Sequence, residues 1–125
     1  MVQGFDEITL SEEPVGKIVT LVFKGKLEKD DYKRFVPQLE KIMESEDKIR
    51  ILVELKDFKG WTAGALWEDT KFGVVHFNDI DRLAIVGDKK WENTMATFVK
   101  PFTAAIVRYF DTDNIEEAER WIREP

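Results

Sequence analysis

Apolar residues along the chain repeat with two different periods, and the switches between them divide it into elements. Lys17 to Lys24 (KIVTLVFK) is rich in β-branched residues and reads as a strand. Phe5 to Leu10 is a shorter strand candidate. Between them Glu12 to Gly16 (EEPVG) reads as a turn, because Pro fixes φ and Gly permits the reversal. The pair predicts an antiparallel hairpin. Asp30 to Glu46 changes to the helical period: Tyr32, Phe35, Val36, Leu39, Ile42 and Met43 follow an i, i+3, i+4, i+7 stripe. Asp30 and Asp31 stand in the first turn, where the helix dipole favours anions. Pro37 interrupts the stripe and predicts a kink, or a short helix followed by a second one. Ile49 to Leu55, Leu83 to Val86 and Ala105 to Phe110 are further strands. Trp91, Met95, Phe98 and Val99 form a helical stripe that Pro101 ends. Asp113 and Glu116 have capping-box spacing ahead of a helix whose Ile115, Ala118, Trp121 and Ile122 face the core. Alternation of this kind predicts an α/β fold.

The segment Trp61 to Asn78 does not fit one stripe. At helical spacing Ala63, Leu66, Trp67, Val74 and Phe77 share one face, and Trp61, Ala65, Phe72 and Val75 lie roughly opposite. One reading is a helix covered on both sides. The other is that one face meets a removable apolar ligand or a membrane surface.

Composition narrows the function classes. The 125 residues favour a single domain, 1–125, and 43% hydrophobic residues supply a core. Nineteen basic against 25 acidic residues leave a net charge of −6, which disfavours nucleic-acid binding. With no cysteine there is no disulfide, thiolate metal site or cysteine nucleophile. Met1 to Glu7 lacks the basic and apolar regions of a signal peptide, and no apolar run nears the roughly 20 residues of a membrane span. These features predict a cytoplasmic location.

Known catalytic patterns do not appear. His76 is the single histidine, and no helix spacing joins it to Asp79 and Asp81 as a metal site, so no metal and no cofactor are expected. Ser11 and Ser45 lie outside any G-x-S-x-G motif. Glycines at 4, 16, 25, 60, 64, 73 and 87 form no phosphate-binding loop. Adjacent carboxylates such as Glu68/Asp69 and Glu116/Glu117 point apart on a helix and read as solvated surface.

One constellation remains. Ligands of α/β sheets sit outside the carboxyl ends of parallel strands. Here those ends are Asp57 to Thr62 (DFKGWT), Gly87 to Trp91 (GDKKW) and Phe110 to Thr112. Rings beside Lys59 or Lys89 suit an amphiphile with an anionic head. Ordinary loop chemistry with helix caps explains the same residues.

In order, these segments resemble the SpoIIAA-like proteins, relatives of the STAS domain. The matching pieces are Gly25-Lys26-Leu27, Asp31-Tyr32 with Phe35 and Pro37, Asp57 to Trp61, Ala65 to Asp69, Arg82 to Trp91, Lys100-Pro101-Phe102, Arg108 to Asp111, and Glu117-Ala118 with Trp121. The resemblance runs from about Phe5 to Ile122. It implies a bacterial STAS-like mixed sheet of about five strands with an antiparallel N-terminal strand, flanked by about four helices, and no established enzymatic activity. It also implies kinship to a switch worked by serine phosphorylation, and to the binding of lipids or similar molecules. The Asp-Ser pair of the switch is missing: Trp61-Thr62-Ala63-Gly64 stands there, with Thr62 its only hydroxyl.

The sequence therefore predicts a non-catalytic module that binds an apolar or amphiphilic, lipid-like molecule. The candidate site is Lys59, Trp61, Thr62, Trp67, Phe72, Val75, Gly87, Asp88, Lys89 and Trp91. The alternative is a STAS-type protein-interaction module resembling an anti-sigma-factor antagonist. Peripheral membrane contact and a homodimer stay open. A lipid binder should show an apolar cavity beneath Trp61 to Asn78; an interaction module should show an exposed apolar patch.

Overall fold

Extended runs of Val, Ile, Leu and Phe pair into one sheet because only neighbouring strands can satisfy their backbone groups once the side chains are buried. The computed structural model describes residues 2–5, 8–12, 18–44, 48–76, 78–88, 91 and 104–124. Six strands pair in chain order: β1 (Val2–Phe5), β2 (Ile8–Glu12), β3 (Ile18–Leu27), β4 (Ile49–Trp61), β5 (Ile80–Val86) and β6 (Ile106–Phe110). The pairs β1–β2 and β2–β3 are antiparallel, and β3 to β6 run parallel. The expected hairpin is β2 with β3. The single strand expected from Phe5 to Leu10 is two, which brings the sheet from about five strands to six. Three α-helices are present among the described residues, α1 (Lys29–Glu44), α2 (Ala63–Val75) and α3 (Ile115–Arg123), where about four were expected. The stripe over Met95, Phe98 and Val99 falls outside the described residues.

Parallel strands need both faces covered. Ile51, Val53 and Leu55 of β4, Ile85 of β5, and Val19, Leu21 and Phe23 of β3 turn toward α1 and its buried Tyr32, Phe35, Leu39 and Met43. The alternate residues Leu52, Ala84, Val86 and Phe110 turn the other way and are covered by Ala118 and Ile122 of α3.

Three local expectations change. α1 runs unbroken through Pro37, so there is neither a second helix nor a break; Pro37 is exposed while the buried stripe carries the helix. No Asp113 capping box forms. Thr112–Asn114 is a 3-10 turn, and Asn114 caps α3 without a side-chain hydrogen bond. Asp57 to Trp61 is the second half of β4 rather than a loop, paired with Gly25 to Leu27. Phe23 pairs Leu55 and Gly25 pairs Phe58, so β4 carries one extra residue there; Lys26 then pairs Gly60, a second extra residue. Asp57 absorbs the first bulge at φ 52°, and Gly60 takes φ 107° near the second. Each extra residue reverses the in–out parity. That is how Phe58 and Trp61 come to share the core side with Leu55, while Asp57 and Lys59 are exposed.

Candidate functional site

The bulges of β4 build an aromatic cluster at the carboxyl end of the sheet. Phe58 packs edge-on against Trp61 at 4.7 Å and Trp91 at 4.9 Å between ring centroids, and the two tryptophans stand 6.0 Å apart. Trp91 lies across Gly60: a Cβ there would sit 3.3 Å from its ring. The turn after β5 approaches the end of β6 through Gly87 N–H donating to the Phe110 carbonyl at 3.0 Å. Thr112 Oγ1 reaches Asp88 Oδ1 at 3.4 Å. Leu55, Ile85, Gly87, Asp88, Trp91, Tyr109 and Phe110 line a cavity of about 10 Å³, room for about one water molecule.

The structure thus gathers Trp61, Gly87, Asp88 and Trp91 of the predicted residues. It does not bring Trp67 or Val75 to them. Both lie on the outer side of α2, with 60% and 69% of their surface in water, and Val74 on the same side is 59% exposed. Phe72 faces the other way, into the core. Lys59 points to solvent from β4, and Lys89 lies outside the described residues. Thr62 is the N-cap of α2: its Oγ1 accepts a hydrogen bond from the Ala65 N–H at 3.2 Å.

Two polar constellations hold α2, and neither was foreseen. Trp61 Nε1–H donates to Tyr32 Oη at 2.9 Å, and the Tyr32 hydroxyl donates to Asp69 Oδ1 at 3.1 Å. An indole N–H can only donate, so the tyrosine oxygen must accept it and the tyrosine proton must go to Asp69. Burial raises the Asp69 carboxyl to about 6, and the hydrogen bond from Tyr32 holds it lower than burial alone would. Burial first, then the neighbouring Asp69 charge, pushes the Tyr32 hydroxyl well above its ordinary value. At the far end of the helix, His76 Nδ1 meets Asp79 Oδ2 and His76 Nε2 meets Glu40 Oε2, both at 2.8 Å. Asp81 pairs with Arg50 at 3.1 Å instead of joining His76. No group of three metal-type side chains among the described residues is arranged to hold a metal ion. The sequence gives little signal for the long-range contacts, because Tyr32 lies 29 and 37 residues from Trp61 and Asp69, and Glu40 lies 36 residues from His76.

A family model for SpoIIAA-like proteins matches residues 18–123. The chain belongs to the SpoIIAA-like family. A crystal structure of an uncharacterised SpoIIAA-fold protein of the DUF3478 family, from Shewanella loihica PV-4, aligns with a TM-score of 0.76 over 92% of this chain and 91% of that one, at 23% identity. No curated protein matches the chain. No helix among the described residues of this SpoIIAA-like protein is long and apolar enough to cross a membrane.

Proposed function

We propose that this SpoIIAA-like chain is a non-catalytic docking module that presents the outer face of α2 to an apolar protein surface. One observation carries the reading: Trp67, Val74 and Val75 stand together on α2, each more than half exposed. Large apolar side chains grouped on one exposed helix face favour a partner that removes them from water. Lys71 and Glu68 of the same helix pair with each other at 3.1 Å, so Lys71 adds no unpaired positive charge to steer the patch toward anionic lipid. Net charge of −6 works against such lipid as well. An enclosed lipid-like ligand draws less support, because the cavity at the strand ends has room for about one water and Phe72 is committed to the core.

A photo-crosslinking residue at position 67 tests this in the cells that make the protein, with the same residue at exposed Lys33 on α1 as control. The expected result is a discrete protein adduct from position 67 alone. A lipid adduct would favour the amphiphile reading, an adduct with a second copy would make the face a homodimer interface, and no adduct would end the docking proposal.

A further inference from the structure

The last turn of α2 carries Val74 and Val75 and ends on His76, whose backbone N–H donates to the Phe72 carbonyl at 2.9 Å. Three groups hold the imidazole. The ring lies tilted against that of Phe72, 4.6 Å between centroids. Nδ1 meets Asp79 Oδ2 in the turn into β5, and Nε2 meets Glu40 Oε2 of α1, both at 2.8 Å.

Proton counting decides the state of this ring. Ionised carboxylates can only accept, and a neutral imidazole donates from one nitrogen while the other offers a lone pair. Two carboxylate contacts at 2.8 Å are met together only by the doubly protonated, positive ring. The carboxyl end of α2, where His76 stands, favours a cation as well. Loss of the proton turns a lone pair toward a carboxylate oxygen, and one contact must part.

Asp79 is the partner that stays. Its N–H donates to the His76 carbonyl at 3.0 Å and its carbonyl accepts the Ile49 N–H at 3.1 Å, so a closed turn fixes it beside the ring. Glu40 reaches across from another helix on a longer side chain, 41% exposed, and water can take its carboxylate. We propose that His76 is a proton-operated latch between α1 and α2. The positive ring fastens the last turn of α2 to Glu40; the neutral ring keeps its remaining proton on Nδ1, toward Asp79, and lets that turn go. Histidines change charge between about pH 5 and pH 8, so the latch opens as pH rises through that range.

Glu40 of α1 and Asp79 of the turn are the charged groups that meet His76, and Phe72 faces it from α2. Asp81 is engaged by Arg50, and Asp69, about two turns earlier in α2, meets Tyr32. As a control on the face of Trp67, Val74 and Val75 the latch rests on the docking reading above, but its test needs no partner.

His76 is the single histidine, so ¹⁵N spectra of its ring read the latch in the unmodified protein. Both nitrogens should be protonated at about pH 5.5, and the Nδ1–H tautomer should replace that form at about pH 8.5. A neutral ring at the lower value, or an Nε2–H tautomer at the higher one, overturns the proposal. Hydrogen-exchange protection of the Val74, Val75 and His76 amides, corrected for intrinsic rates, should fall about threefold over the same range, the size of one partly exposed ion pair. Glu40→Gln should abolish that fall, because an amide accepts from the charged ring through its oxygen and donates to the neutral ring through its nitrogen. Unchanged protection in the unmodified protein, or a fall that persists in Glu40→Gln and so belongs to another group such as Asp69, sinks the latch. Failure of crosslinking at position 67 with the latch intact would sink the docking reading alone.

Discussion

Asp69 is carried at a cost. Its carboxyl lies at about 6 in the fold against 3.8 when free. A raised carboxyl favours the fold below pH 3.8, and that advantage drains away as pH rises to about 6. Above that it is gone, a loss of up to about 3 kcal/mol relative to low pH. Asp69→Asn keeps an oxygen for the Tyr32 hydroxyl and removes the charge. It should raise unfolding free energy by about 1–3 kcal/mol at pH 7.5 and change little near pH 4, measured by urea denaturation at both values. A loss of stability at pH 7.5 would show that the charged form is the better fit. Nothing in the residues around Asp69 announces this. Glu68-Asp69 reads as a solvated pair, and Asp69 is partly buried where the buried Tyr32 of α1 meets it. Tyr32 itself was legible as a core residue from its stripe, but its hydroxyl partner was not.

At the scale of the element, periodicity identified α1 and misjudged α2. The six stripe residues of α1 are all buried or packed against the core. α2 has apolar residues nearly all round, so spacing could not tell which face the body takes. The structure chooses the Ala65/Phe72 face, since Ala65 lets the helix approach closely and Gly64 does the same against Lys29. The face with Trp67 and Val74 is left to water. Phe72→Ser should therefore destabilise the protein by about 2–4 kcal/mol, and Leu66→Ser by well under half of that. Thermal melts of the two variants side by side decide it; a more damaging Leu66→Ser would place the core on the opposite face. β4 shows why its second half reads as a loop. Period 2 holds from Ile49 to Leu55, and the bulges at Asp57 and Gly60 then shift parity twice. Phe58 and Trp61 end up three residues apart yet on one side.

Across the whole molecule, the order of elements and the parallel β3 to β6 sheet were legible because α/β alternation leaves few topologies. The convergence of Trp61, Gly87, Asp88 and Trp91 followed from it, since loops at one end of parallel strands must meet. The cover of the second face was less visible: among the described residues α3 supplies it, through Ala118 and Ile122 with Ile115 and Trp121 beside them. Ile122→Ala should lower unfolding free energy by about 2–4 kcal/mol in urea, and a loss below about 1 kcal/mol would mean that face tolerates water. The strand order β1-β2-β3-β4-β5-β6 has a further consequence during synthesis. Every strand leaves the ribosome after the neighbour it pairs with, so the sheet can lengthen at its open edge without parting strands already joined. The hazard of this route falls late. Among the described residues, Leu52, Ala84, Val86 and Phe110 gain the cover of Ala118 and Ile122 only once α3 has been made. A nascent chain paused between β6 and α3 is the form of this protein most in need of a chaperone.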